Sequence, residues 1–178
     1  MLILNSTAND IDQIFGLYKV ATDFQKSKFI VQWPQFERTL IEKEIAELRQ
    51  WKLIIDGQVA CVWATTFSDP QIWEDKNDNP AVYIHRIATN PDFRGQNLVT
   101  TIVTWAKAYA KENGKKFVRL DTVGENQGLI KHYQKSGFNY LGLFNLKNTD
   151  QLPAHYHNAA VTLFELSIDE PQFLNKQV

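Results

Sequence analysis

The sequence predicts an α/β protein of the α+β mixed-sheet kind: a central, mostly antiparallel twisted sheet of six to seven strands with helices on both faces. Three observations carry that prediction. Early in the chain, the β-rich runs Trp51–Ile55 and Gln58–Phe67 are separated only by Asp56-Gly57, the strongest short hairpin signal a sequence offers. Later, strand-like and helix-like runs alternate over Ala81–Thr89, Asn97–Asn113, Phe117–Val123 and Asn126–Lys135. Hairpins followed by strand–helix–strand units imply a mixed sheet that buries both of its faces. The length of 178 residues and a hydrophobic content of 44% suit one domain, residues 1–178, with one sizeable core.

The elements follow in order. Leu2–Leu4 can form a short first strand. Thr7 with Asp10 three positions later has the form of a helix N-cap and a first-turn acid. Ile11, Ile14, Phe15, Tyr18 and Ala21 then recur at helical spacing, which predicts a helix from about Ala8 to Gln25. After a break over Ser27–Pro34, Pro34 can open a second helix. There Leu40, Ile41, Ile45 and Leu48 share one face, while Glu37, Glu42, Lys43 and Glu47 point away. Beyond the hairpin, Ser68–Pro80 is polar, carries two prolines and reads as a loop; its Trp73 is either a lid residue or an anchor that packs the loop down. The helix over Asn97–Asn113 sets Leu98, Ile102, Trp105 and Tyr109 on one stripe and ends at Gly114, a left-handed cap. Gly137-Phe138 stops the next helix, and Tyr140–Phe144 and Val161–Ile168 finish as strands.

Composition excludes several function classes. A net charge of -1 and a pI near 6.4 give no electrostatic footprint for nucleic acid or an anionic membrane. No run approaches the ~20 apolar residues that span a bilayer, and the N-terminus lacks the basic flank of a signal peptide. A cytoplasmic location is the expectation. The single cysteine, Cys61, rules out an intrachain disulfide or a thiolate cluster, and its apolar run makes it a small buried hydrophobe.

Two segments go beyond pattern. The first runs Tyr83-Ile-His-Arg-Ile-Ala-Thr-Asn-Pro-Asp-Phe-Arg-Gly-Gln-Asn-Leu-Val99. The second, Asn126-Gln-Gly-Leu-Ile-Lys-His-Tyr-Gln-Lys-Ser-Gly-Phe138, has an Asn, a Tyr seven positions later and a Gly-Phe closing the helix. Together they resemble the two signatures of the GNAT superfamily of N-acetyltransferases, and the element order is similar to that family over nearly the whole chain. The resemblance implies acetyl-CoA as co-substrate, no metal, and a small-molecule amine acceptor. It leaves room for a homodimer, and for a coenzyme-A-binding sensor without turnover. The physics is consistent, because a helix N-terminus offers unpaired N–H groups and the positive end of its dipole to a pyrophosphate. The implied coenzyme site comprises Ile87, Ala88 and Thr89 on the strand, then Arg94, Gly95, Gln96, Asn97, Leu98, Val99 and Thr100 in the loop and first helical turn. Asn126 and Tyr133 complete it. The family's loop usually reads Arg-x-x-Gly-x-Gly. Asn97 replaces one glycine and tolerates a positive φ, but the branched Val99 stands where backbone normally approaches phosphate or sheet. That departure points, if anywhere, toward the sensor.

Amine acetylation needs an uncharged nucleophile and a proton for the departing thiolate. By the resemblance, Tyr133 supplies that proton. His85 is the first candidate for the base, since an imidazole titrates near neutrality. Tyr83 holds the position where relatives carry a carboxylate, and a water relay is a further alternative. His155 and His157 fall in the segment that in relatives borders the acceptor pocket, and lack a clear third ligand for a metal. His132 faces solvent. The connection Phe29-Ile-Val-Gln-Trp33 suggests a partly apolar, aromatic wall, which favours a small amine or an amino acid as acceptor.

Overall fold

In the computed structural model, which describes residues 1–28, 31–150, 152–157 and 159–169, the Asp56-Gly57 turn folds β2 (Gln50–Ile55) onto β3 (Gln58–Thr66). Asp56 and Gly57 have φ of 49° and 78°, so both central residues are left-handed, as a two-residue hairpin with the right twist requires. The first strand, β1 (Leu2–Asn5), pairs with β2. The sheet continues through β4 (Ala81–Thr89), β5 (Phe117–Val123), β6 (Asn139–Asn145) and β7 (Ala160–Ser167) in the order β1-β2-β3-β4-β5-β7-β6. Every neighbouring pair is antiparallel except β4 and β5.

The helices are α1 (Ile11–Lys28), α2 (Arg38–Ala46), α3 (Pro70–Trp73), α4 (Leu98–Glu112) and α5 (Gln127–Lys135). At the approach to α1, the Thr7 amide and hydroxyl both donate to the Asp10 carboxylate, at 2.7 and 2.9 Å. Pro34 does not open α2; the helix starts four residues later, at Arg38. The intervening chain is held by aromatic packing instead, with the Trp33 and Phe36 rings 5.8 and 5.4 Å from that of Tyr18. The stretch expected to be a loop after β3 contains α3 and a 3-10 turn over Glu74–Asp78. Trp73 is its anchor rather than a lid: it is buried, its ring lies 5.6 Å from Tyr83, and the Arg119 guanidinium sits 4.5 Å from its centroid. Among the described residues, no helix is long and apolar enough to cross a membrane.

Three apolar clusters follow from the two faces of the sheet. On one face, Trp63, Val82, Ile84, Val118, Leu120 and Phe164 meet α4 and α5 through Leu98, Ile102, Ala106 and Ile130. On the other, Val59, Val62 and Ala88 meet Ile14, Leu17, Tyr18 and Ile41 of α1 and α2. Farther along that second face, Ala81, Tyr83, Val161 and Leu163 pack under Ile72 and Trp73 of α3.

Two irregularities in β4 break the sheet between these layers. Val62 pairs with Ala88 and Ala64 with His85, so Arg86 and Ile87 together stand opposite Trp63, and Arg86 takes a φ of 52°. This is a β-bulge. The Arg86 guanidinium is held by the buried Glu44 carboxylate and donates to the Tyr18 hydroxyl at 3.4 Å, tying the bulge to both α1 and α2. The second irregularity is an early end to pairing. β4 and β5 match only at Ala81↔Phe117, Val82↔Val118 and Tyr83↔Arg119, whereas β5 stays paired to β7 as far as Val123↔Val161. From Ile84 and Leu120 onward the two strands part, leaving a wedge-shaped gap in the middle of the sheet.

Candidate active site

The polar side chains nearest the gap come from three elements. His85 lies on β4 at the bulge, Asp121 on β5 just past the last rung, and Asp69 caps α3. His85 Nε2 is 3.5 Å from Asp69 Oδ2, and Nδ1 is 4.0 Å from Asp121 Oδ1. Among the described residues these three form the one grouping of histidine or carboxylate donors within 4.8 Å of one another. Asp69 is fixed by its surroundings: its amide donates to Asn77 Oδ1 at 2.7 Å, and its carbonyl accepts from the Trp73 amide at 3.0 Å. Its Oδ2 is buried and has no hydrogen-bond partner. Asp121 accepts at 2.8 Å from the hydroxyl of Tyr156, which belongs to the segment between β6 and β7.

Burial sets the protonation of this group. It raises Asp121 to about 6, partly offset by the Tyr156 hydrogen bond. Burial and the neighbouring charge of Asp121 raise Asp69 to about 7. Burial, with Arg86 and Arg49 nearby, pushes His85 down to about 3, so its imidazole is neutral at physiological pH. From the opposite face of the sheet, Tyr133 packs its ring 5.1 Å from Phe164 and 6.0 Å from Phe138. Burial, then the charges of Asp121 and Cys61, lift its hydroxyl to about 12.

Beyond β4 the chain makes a short 3-10 turn over Pro91–Phe93 and enters α4 through Arg94–Asn97. Gly95 has a φ of 81°, and Asn97 is left-handed at φ 55°, ψ 39°. Those two left-handed residues turn the backbone into the start of α4. Thr100 N–H is bonded to the Asn97 carbonyl at 3.0 Å, while no backbone acceptor among the described residues engages the amides of Asn97, Leu98 or Val99. Arg94 and Gln96 are exposed, with the Arg94 guanidinium 4.7 Å over the Phe24 ring. Asn126 caps α5, its Oδ1 accepting from Gly128 and Leu129 at 2.9 and 3.1 Å.

The acetyltransferase (GNAT) family model matches residues 18–138, more than half of the chain. The chain belongs to the GNAT family. An uncharacterised N-acetyltransferase of Methanocaldococcus jannaschii is 28% identical over 148 residues, which is 76% of this chain and 59% of that protein. Another, YesJ of Bacillus subtilis, is 30% identical over 74 residues, 42% of this chain. This chain spans 41% of YesJ's length. Among solved structures, a GNAT-family acetyltransferase from Listeria monocytogenes superposes with a TM-score of 0.73 at 22% identity, covering 93% of this chain and 94% of that one. The Salmonella typhimurium protein yncA with its cofactor acetyl-CoA superposes with a TM-score of 0.67 at 14% identity, covering 96% and 95%. Those two likenesses are of fold.

Set against this GNAT fold, the residues singled out from sequence fall into groups. His85 and Tyr133 flank the gap, and Ile87 and Thr89 lie on the stretch of β4 that has left its partner strand. Ala88 instead buries its side chain under α1 and α2. Val99, whose branched side chain was expected to crowd the loop, packs that side chain against the core between α4 and the sheet. Tyr83 is buried and its hydroxyl accepts from Arg119 at 3.1 Å, a structural role. His132 is exposed. His157 is bonded to the Leu152 carbonyl at 3.0 Å and His155 stacks near Tyr156, so the two histidines do not converge on a common point with a third ligand. Of the aromatic wall, Phe29 and Ile30 lie outside the described residues, and Trp33 packs into the α1–α2 layer. Sequence reading missed Asp69, Asp121 and Tyr156. Only Asp121 left a signal: with Arg119 it puts two charges on one face of a strand whose other face is apolar, and buried charges need partners.

Proposed function

We propose that this chain transfers the acetyl group of acetyl-CoA to a primary amine by direct attack in a ternary complex. The observation that carries the reading is the β4–β5 gap, with Asp121 on β5 beyond the last rung and Tyr133 packed on the other face of the sheet. A thioester arm fits such a gap because it can add hydrogen bonds to the unpaired edge of β4 at Ile87 and Thr89 as an extra strand would. The amides of Asn97, Leu98 and Val99, which no backbone acceptor among the described residues engages, suit a pyrophosphate together with Arg94 and the positive end of α4. Asn126 adds a side-chain amide at the far wall.

In this reading Asp121 takes the base role that sequence reasoning gave to His85. A base works best with a pKa near the operating pH, and a carboxylate at about 6 meets that condition better than an imidazole at about 3. Asp121 accepts one proton from the ammonium group. The freed amine then attacks the thioester carbonyl: the C–N bond forms, the C–S bond breaks, and Tyr133 gives its proton to the departing sulfur. The second nitrogen proton restores the tyrosine. Tyr133, lifted to about 12, is fully protonated at the start of each turnover and so arrives as a donor. His85, neutral, packs beside the two carboxylates at 3.5 and 4.0 Å and adds no charge of its own.

Free thiol release from acetyl-CoA, followed across a panel of primary amines, tests the reading. Amine-dependent release is expected. A protein that binds acetyl-CoA, yet releases no thiol with any amine, would refute turnover and leave a coenzyme-binding module.

A further inference from the structure

Resting on the acetyl-transfer reading, we propose that Asp69 determines acceptor specificity: Asp69 and Asp121 together hold the acceptor as an ammonium ion, selecting cationic primary amines that carry no carboxylate beside the reacting nitrogen. The geometry is that of a bridged cation. An ammonium nitrogen at hydrogen-bond distance from two oxygens, with its tetrahedral angle between them, spans about 4.6 Å from oxygen to oxygen. The two carboxylates and His85 place their donor atoms within 4.8 Å of one another.

The site also lacks a counter-charge of its own. Among the described residues, Asp69 Oδ2 is buried without a hydrogen bond while its carboxyl otherwise accepts from the Ile72 amide, and Asp121 accepts from the Tyr156 hydroxyl and a backbone amide, so neither has a cation beside it. A buried anion without a partner is costly, and a ligand that supplies the missing positive charge recovers that cost. The charged groups packed around the pair offer nothing to a substrate carboxylate. From β4, Arg86 is committed to Glu44. Just ahead of β2, Arg49 lies 3.7 Å from the same Glu44 and is also paired with Glu47. From β5, Arg119 is bonded to Glu165. His85 and His155 are both pushed well below neutrality by burial and by Arg86, so neither imidazole is cationic. Tyr156 and Tyr133 are raised and uncharged. An α-amino acid would bring its carboxylate against two buried carboxyl groups with no cation in reach, so in this proposal a simple amine is a better acceptor than an amino acid.

The experiment measures acceptor binding separately from turnover. With the protein saturated by coenzyme A, calorimetry compares phenethylamine with phenylalanine, tyramine with tyrosine, and agmatine with arginine. Each amine is expected to bind at least ~10-fold tighter than its carboxylated counterpart, the scale of one close charge contact in a partly buried site. In Asp69→Asn the amine affinity falls at least ~10-fold, coenzyme A affinity is unchanged, and the preference over the amino acid shrinks. As a second measurement on the unaltered protein, amine affinity rises between pH 5.5 and 8. Both carboxylates ionise over that range while the aliphatic ammonium keeps its proton. Amino acids binding as tightly as their amines, an Asp69→Asn protein with undiminished amine affinity, or no amine binding at all would each overturn the proposal. Failure of coenzyme A itself to bind would instead bring down the acetyl-transfer reading beneath it.

Discussion

At the scale of single residues, the proposed mechanism divides labour between two groups on opposite faces of the sheet. Replacing Tyr133 by Phe removes one hydroxyl and keeps the ring that packs on Phe164 and Phe138. The fold and acetyl-CoA affinity are expected to persist while kcat drops by ~10²-fold or more, the scale of general acid catalysis; a variant as fast as the parent would remove Tyr133 from the mechanism. The base gives a pH signature whose sign is fixed. Asp121 must be ionised to accept a proton, so kcat/KM rises as pH climbs through about 6 and levels off above it. Because Asp69 titrates beside it, the limb belongs to the pair rather than to one carboxyl. In Asp121→Asn the plateau falls by ~10²-fold and the limb narrows to the titration of Asp69 alone, whereas His85→Gln, which removes neither carboxyl, leaves the two-carboxyl limb in place. A limb that vanished with His85 instead would return the base role to histidine. His85 was visible in the sequence because a histidine in a strand is conspicuous. The aspartates were not, because their burial and mutual approach arise only when α3, β4 and β5 converge.

Among the elements, the outcome for sequence reasoning follows the range of the forces involved. Features fixed by local chemistry appear as anticipated: the Asp56-Gly57 hairpin and both limits of β4 and β5. Features fixed by tertiary packing do not. α2 begins late because Trp33 and Phe36 find ring partners on α1, and α3 forms where a polar loop was expected because Trp73 buries under Tyr83 and Arg119. Val99 belongs to the same class. Its side chain turns into the core, so Val99→Gly is expected to leave acetyl-CoA affinity within about twofold while lowering stability by roughly 1–2 kcal/mol, from lost helix propensity and lost packing. Thermal melts with and without acetyl-CoA separate the two effects, and a large gain in affinity would show that valine obstructs the loop after all. Arg94→Ala should act in the opposite sense. The residue is exposed and its contact to a phosphate would be ground-state binding, so KM for acetyl-CoA rises by about 10-fold with kcat nearly unchanged. An unchanged KM would return Arg94 to a role as partner of the Phe24 ring.

Taken as a whole, the molecule is two antiparallel sheets, β1-β2-β3-β4 and β5-β7-β6, joined by only three residue pairs and by the helices laid across them. A ligand seated between β4 and β5 touches both parts, and anything that binds the folded chain alone stabilises it by mass action. At a hundredfold excess of acetyl-CoA over its dissociation constant, about 2.7 kcal/mol is expected, read as a rise in Tm; coenzyme at millimolar concentration with no shift would contradict the site. The same three pairs have a mechanical meaning. A pull applied between β1 and β6 is carried through long ladders everywhere except at this seam, so the seam is where the sheet would first yield. The coenzyme, lying across it, would then bear load as a structural member, and the protein's resistance to force would report whether its substrate is in place.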